Sequence, residues 1–546
     1  MIAALLACPS SAALARTEPA ANLNTYVRAR AASSAGALPQ ASAGFAAALN
    51  AAPDNAIVAN QALAHAVIAG DWPLALRAAR SLERGGTLLP DARFVLLAGA
   101  VRGRDWRLAG QQIDAIERER LFAFAVPVLR AWHARASGQG DPLSFLPAAG
   151  LDTLSESYAA EHRPLLMVAL RRPEGAALLP PASGGPRALR LRMAAAATLA
   201  GRGDRAGALA LLQGEEAPLV AARQLIERNA PVPGAIDGAP AALAELLVRL
   251  ALDLHAQNVT PVAATFASLS TWLAPESAET WMVAAELAAL QDRHDSAVAM
   301  LGNVPAADPY ATSARDQRIR LLVAGGNNAI ALTDAETAAR AAGAGVGEQV
   351  RLGEVLMALD RPGDAAAAFA RAIAARTAQG DGGGASHPLW VLWLMRGGAH
   401  DDAEDWPAAR SALQQAHRLA PAEPLVLNYL GYAQLERREN MVEAEALVRE
   451  AHRLAPDNAA ITDSLGWALF LKGERAEGIA LLEQAAQASP DDVEINEHLG
   501  DAYFATGRRS EARFAWAAAR VHAEGADTTR LAAKIETGLT AALAAR

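Results

Sequence analysis

Three Leu-Gly pairs, Leu430-Gly431, Leu465-Gly466 and Leu499-Gly500, recur at intervals of 35 and 34 residues, and Pro421, Pro456 and Pro490 keep the same intervals. A chain with a period in the thirties must stack one small unit on copies of itself, because each unit leaves an apolar face that only its neighbour can cover. The prolines close helical stretches, as in Leu419-Ala420-Pro421 and Leu454-Ala455-Pro456, since proline lacks an amide donor and disfavours helix in the residue before it. Asp457-Asn458 and Asp491-Asp492 follow and can cap the next helix. Each unit therefore reads as a pair of antiparallel helices. Gly431, Gly466 and Gly500 mark one close approach between them, and Ala416, Ala485 and Ala519 mark another. One extra residue within Arg437-Arg438-Glu439-Asn440 accounts for the interval of 35.

Composition agrees with an all-helical chain. Alanine, the best helix former and a poor strand former, supplies about a quarter of the 546 residues, while aromatics supply 5%. Part of that excess falls at helix contacts such as Ala409, Ala416, Ala485 and Ala519, so the 52% apolar content implies a long, thin stacked core. The net charge of −9 leaves no basic face for nucleic acid. A single cysteine excludes a disulfide framework and multi-cysteine metal sites. Of the 50 basic residues only Lys472 and Lys534 are lysine. Past the amino terminus no stretch offers 18 uncharged apolar residues, so no transmembrane segment is expected.

The spacing resembles the tetratricopeptide repeat, whose pattern is W-x2-L-G-x2-Y, A-x3-F, a further alanine and a closing proline. The copy around Gly397 matches at Trp393, Gly397, Ala409, Leu413, Ala416 and Pro421. The copy around Gly466 matches at Leu465, Gly466, Leu469, Gly478, Leu482, Ala485 and Pro490, and the last at Leu499, Gly500, Tyr503, Ala512, Trp516 and Ala519. A further copy fits Leu352-Gly353, Ala365, Phe369 and Ala372. The fold implied is an all-α solenoid of stacked antiparallel hairpins, a tetratricopeptide superhelix with a carboxy-terminal capping helix.

The clearest copies are 346–379, 390–423, 424–458, 459–492 and 493–524, within an array expected over 235–524. Upstream, 16–234 reads as a degenerate helical-hairpin region. Trp281, Ala297 and Leu301, with Asp295-Ser296 between the helices, suggest another copy, and Gly70-Asp71-Trp72 and Gly203-Asp204-Arg205 look like turns between paired helices. Residues 175–186, 230–234 and 380–384 read as loops. In 525–546, Asp527 can cap a final helix whose Leu531, Ile535, Leu539 and Leu543 form one stripe that would cover the end of the array.

Residues 1–15 are apolar and end in Ala13-Leu14-Ala15, which resembles a secretory signal cleaved before Arg16. Leu5-Leu6-Ala7-Cys8 also resembles a lipoprotein box in which Cys8 would carry the lipid anchor. The expected location is the periplasm or cell envelope, with soluble release ahead of lipidation and a cytoplasmic protein as the alternative.

The sequence contains no Gly-Lys-Ser/Thr phosphate loop, no H-E-x-x-H and no G-x-S-x-G, and no cofactor or metal is expected. His417 and His452 stand in equivalent Ala-His-Arg-Leu-Ala-Pro segments, where a histidine can meet the carboxyl end of its helix. Glu497-His498 beside Asp501 could form an acid–base set, but adjacent helix positions face different ways. In the family it resembles, the concave groove is lined by the second, fifth, ninth and twelfth residues of each repeat. Carried onto this chain, these include Asn428, Tyr432, Asp463, Trp467, Phe470, Glu494, Glu497, Asp501 and Phe504. Asp463, Glu494, Glu497 and Asp501 make this an acidic-aromatic groove. The implied function is a non-enzymatic scaffold or adaptor that binds a basic or amphipathic protein or peptide. The alternatives are a repeat module of a glycosyltransferase-type protein or of a polysaccharide or secretion assembly.

Overall fold

The computed structural model describes residues 18–147, 149–172, 174–341, 343–379 and 387–540. The leader with Cys8, the glycine run at 380–384 and Leu543 lie outside the described residues. Among the described residues the secondary structure is helical throughout, with 29 α-helices and three short 3-10 turns. They divide into two compact units, 1–326 and 327–546. The change in repeat character expected near 235 falls inside the first unit, whose core continues across that position.

The first unit begins with regular hairpins. Asp71 closes the turn into helix Trp72–Arg84 by accepting a hydrogen bond from the Leu74 amide at 3.1 Å, and Gly70 takes the left-handed backbone (φ +68°) the turn requires. Asp204 caps helix Arg205–Leu211 in the same way. Both turns are where the sequence places them. Residues 230–234 form a loop between helices Ala217–Glu227 and Ala239–Ala256. Asp295 and Ser296, by contrast, lie inside helix His294–Leu301 rather than between helices.

The hairpin of helices Ala239–Ala256 and Thr260–Leu273 changes the character of this unit. It packs against the first helices of three earlier hairpins, Ala56–Ala69, Arg93–Arg102 and Val126–Ser137. Phe266 is fully buried and meets Phe94 and Phe122 at ring-centroid distances of 5.0 and 5.5 Å. Trp272 stacks on Trp72 at 4.9 Å, Tyr158 donates to Asp253 at 2.6 Å, and Arg190 pairs with Glu245 at 2.5 Å with both side chains 7% exposed. The face that a solenoid would leave open is filled by the chain itself. The result is one thick core running from Ala29 to Leu287, not the thin one that repetition implies.

The second unit keeps the open pattern. Its hairpins are Val346–Ala358 with Pro362–Gln379, Leu389–Asp402 with Trp406–Leu419, Pro424–Glu436 with Met441–Leu454, Ala459–Lys472 with Arg475–Ala488, and Val493–Ala505 with Arg509–His522. Asn458 and Asp492 cap their helices through the Ile461 and Ile495 amides at 3.2 and 3.1 Å. A Cβ on Gly500 would stand 2.4 Å from the Trp516 ring. One on Gly478 would stand 2.7 Å from the Gly466 carbonyl oxygen and 2.8 Å from the Phe470 amide, both backbone atoms that cannot swing aside. Gly478→Ala should therefore destabilise this unit by about 1–3 kcal/mol through overpacking, read as a lowered urea midpoint. An unchanged midpoint would show that the two helices separate freely.

Candidate functional site: the first-helix face of the carboxy-terminal repeats

Helices Leu389–Asp402, Pro424–Glu436, Ala459–Lys472 and Val493–Ala505 are the first members of successive hairpins, and the repeat register sets one face of each in a common row. All nine residues assigned to the groove lie on the last three. The structure sorts them into a buried relay, a buried ion cluster and a small accessible remainder.

The relay is centred on His498, which is 2% exposed. Its Nδ1 lies 2.8 Å from Asp463 Oδ2, and its ring stacks on Trp467 at 4.5 Å with a 10° interplanar angle. Trp467 in turn stacks on Phe470 at 5.6 Å. His498 Nε2 lies 3.3 Å from the Tyr432 hydroxyl, which donates to Glu494. Burial alone would depress the histidine pKa, but the charge and hydrogen bond of Asp463, with Glu494 and Asp501 nearby, raise it to about 9. His498 is therefore an imidazolium at neutral pH, donating from Nδ1 to the Asp463 carboxylate and from Nε2 to the neutral Tyr432 hydroxyl.

The ion cluster is made by the final helix, Gly525–Thr537. Lys534, thirty-four residues beyond Gly500, stands one repeat further along the register and is fully buried. Its Nζ donates to Glu497 Oε1 at 2.6 Å and to both oxygens of Asp501 at 2.8 Å. Arg530 donates to Glu497 through Nη2 at 2.6 Å and Nε at 2.9 Å, and Trp516 Nε1 donates to Asp501 at 2.9 Å. Glu497 sits below the ordinary carboxylate range: burial alone would raise its pKa, and the Arg530 and Lys534 hydrogen bonds outweigh that. Phe504 packs on Trp516 at 5.6 Å. Leu531 is buried, with Ile535 and Leu539 packed beside it. Asp527 does not cap this helix; it lies in the first turn and pairs with Arg530 at 2.6 Å.

The acidic groove is thus smaller than the register suggests. Asp463, Glu497 and Asp501 are 4%, 3% and 2% exposed and paired within the chain, so they are structural anions rather than an open surface. Of the four carboxylates only Glu494 is exposed, and Asn428, Tyr432, Phe470 and Phe504 are half-buried. Other anions join Glu494. Burial raises the pKa of Glu436, reinforced by Glu494, and burial likewise raises Asp401 and Asp402, the latter further by Asp360. Arg437 pairs with Asp401 and lies over Trp406 at 4.4 Å. Asp401 holds the twelfth position of the copy around Gly397, so the same register would have reached it. Glu436 and Asp402 are one residue further along and carry no comparable signal.

Of the two tempting histidines, His452 has a local partner. His452 Nδ1 is 3.3 Å from the Thr462 hydroxyl of the next hairpin rather than bonded to the carbonyls of its own helix end. Among the described residues no cluster of three or more histidine, cysteine or carboxylate side chains is arranged to hold a metal ion, and no helix is long and apolar enough to cross a membrane.

Residues 469–534 match the family model for the tetratricopeptide repeat. With the hairpin geometry above, these residues form tetratricopeptide repeats, and the described residues of the chain are all-α. No curated protein matches the chain. Among solved structures it is similar to MamA (41-end) from Desulfovibrio magneticus RS-1, at 14% identity over 32% of this chain and 94% of that one, TM-score 0.26. It is also similar to the Cut9 and Hcn1 hetero-tetramer of the APC/C, at 12% identity over 96% and 97%, TM-score 0.35. Yeast Tom70 aligns at 14% identity over 95% and 96%, TM-score 0.33.

Proposed function

We propose that this chain is a non-catalytic tetratricopeptide scaffold. Its carboxy-terminal unit binds a basic, extended or amphipathic protein segment along the face of helices Leu389–Asp402, Pro424–Glu436 and Val493–Ala505. The observation that carries this reading is the set of carboxylates Asp402, Glu436 and Glu494 beside the half-buried rings of Tyr429 and Tyr432, where repulsion from Glu494 adds to burial in raising the proton affinity of Glu436. An incoming lysine or arginine relieves that repulsion, and the tyrosines supply rigid contact area. Tyr429 and Tyr432 both have raised pKa values, from burial first and neighbouring carboxylates second, so they remain neutral donors there.

Asp463, His498 and Tyr432 have the connectivity of a catalytic triad, but an imidazolium already holds the proton that a general base would have to accept. No catalytic role is assigned to them. An envelope location belongs to the same proposal and rests on the apolar leader alone; an intact Met1 in N-terminal mass spectrometry of native protein would exclude it.

Asp402→Lys with Glu494→Lys in the full chain tests the groove, because both residues are exposed. Against an array of 15-residue peptides, the wild type should select lysine- and arginine-rich members. The double variant should lose at least about tenfold in affinity for them, in line with charge reversal at a complementary interface. Equal binding by both proteins would overturn the proposal.

A further inference from the structure

The repeat register provides an internal control for the outer face of the second helices. Four helices, Trp406–Leu419, Met441–Leu454, Arg475–Ala488 and Arg509–His522, can be compared position by position. At one exposed pair of positions, seven residues apart, the first three carry Ser411 and Arg418, Ala446 and Arg453, and Ala480 and Gln487. The last carries Phe514 and Val521, which are 76% and 75% exposed. Leaving two large apolar side chains in water at positions the fold elsewhere gives to small or polar residues has no packing rationale. Arginine precedes each of them, as Arg513 and Arg520, both exposed. The corresponding positions of the preceding helix hold Ile479 and Ala486.

We infer that the outer face of helix Arg509–His522 is a second docking surface, for an acidic amphipathic helix of a partner protein. Residues seven apart on an α-helix fall on one stripe, so Phe514 and Val521 form an apolar seam. Arg513 and Arg520 form a cationic rail along one side of it. Ala517 and Ala518 lie between the two large residues and let another helix approach closely. A helix laid nearly parallel meets this seam once per heptad, presenting two apolar side chains with a carboxylate beside each. Arg513 already donates from Nε to the Ile535 carbonyl at 3.1 Å, which fixes its stem while its outer nitrogens stay available, and Arg520 makes no ion pair among the described residues. Exposed phenylalanine beside arginine is also the composition that concentrates binding energy at interfaces.

Two other occupants fit less well. A bilayer surface favours a broad apolar face with cations on both flanks, whereas the opposite flank here carries the exposed Glu511. A second copy packed antiparallel on the same two turns would bury far less area than a stable dimer needs.

The test uses the full chain and a fluorescein-labelled 18-residue helical peptide with leucines one heptad apart flanked by glutamates, together with its lysine counterpart. Phe514→Ala with Val521→Gln installs the residues the preceding hairpin already carries, so the fold tolerates it, and an unchanged melting curve verifies this. Fluorescence anisotropy should show the glutamate peptide binding. Affinity should fall by at least about tenfold in that double variant and in Arg520→Glu, the loss expected at an interface hot spot. The lysine peptide should not bind, and Asp402→Lys with Glu494→Lys should leave glutamate-peptide binding unchanged, which separates this surface from the groove. The inference is overturned if the glutamate peptide does not bind, or binds wild type and double variant alike. It is equally overturned if Phe514 and Val521 are instead required for sedimentation with phosphatidylglycerol vesicles or for self-association.

Discussion

Lys534→Met is expected to unfasten the final helix and destabilise the last hairpin by about 3–5 kcal/mol, the usual consequence of removing one partner of a buried ion cluster. Lys534 is fully buried, and its ammonium is shared by Glu497 and Asp501, which are 3% and 2% exposed. Methionine keeps the bulk of the stem but takes the ammonium away from both oxygens of Asp501, which still accepts from the Trp516 indole. Glu497 retains Arg530, so the loss of the ammonium is felt mainly by Asp501. Hydrogen exchange measured by mass spectrometry on the full chain should show peptides from 493–537 losing protection while those from 346–379 keep theirs. Adding Asp501→Asn to Lys534→Met should restore part of the protection, because the charge that lost the ammonium is then gone. Unchanged exchange in Lys534→Met would mean that the final helix is held by Leu531 and its apolar neighbours alone.

Raising the pH through about 9 should weaken the same part of the molecule by a second route. The folded chain holds His498 with a pKa of about 9, above the ordinary histidine value of 6.5. A group whose pKa is raised by folding contributes stability that is complete below its unfolded value and is lost as pH rises through its folded value. The window is therefore about pH 6.5 to 9, and the loss is bounded at about 3 kcal/mol by the size of the shift. The groups facing His498 are Asp463 and Trp467 on one helix, Tyr432 on another, and Glu494 and Asp501 on its own. Tyr432 has its pKa raised, so it does not titrate in that window. Urea midpoints of wild type and Asp463→Asn should converge as pH rises from 7 to 9.5, since asparagine removes the main source of the raised pKa. Parallel curves would show that His498 is neutral throughout.

Both predictions concern residues whose chemistry is visible in the sequence but whose partners are not. The glycines at 34- and 35-residue intervals and the prolines closing each unit were sufficient for the carboxy-terminal hairpins, because a close helix approach admits only small residues and a helix end tolerates proline. The same register put Asp463, Trp467, Glu494, Glu497 and Asp501 on the first-helix face. It could not say which of them remain accessible. An anion at a groove position is free only if no cation of the chain reaches it, and Lys534 and Arg530 reach Glu497 and Asp501 from a helix that follows the last full hairpin. Lys534 is one of two lysines and stands thirty-four residues beyond Gly500, a coincidence that acquires meaning only once the final helix is seen to dock there.

The amino-terminal unit shows the same limit on a larger scale. Its turns at Asp71 and Asp204 follow from local capping chemistry and were legible in advance. That Ala239–Ala256 and Thr260–Leu273 fold back to fill the face of earlier hairpins was not, because Phe266 and Trp272 look like ordinary helix residues until Phe94, Phe122 and Trp72 meet them. The sequence by itself determined the helical-hairpin unit, its period and the residues at each helix contact, since these depend on interactions within about one repeat length. Only the tertiary structure decided which faces are open. Closing a face pairs residues more than 150 positions apart, such as Arg102 with the Trp272 carbonyl, and no local pattern encodes such a pairing.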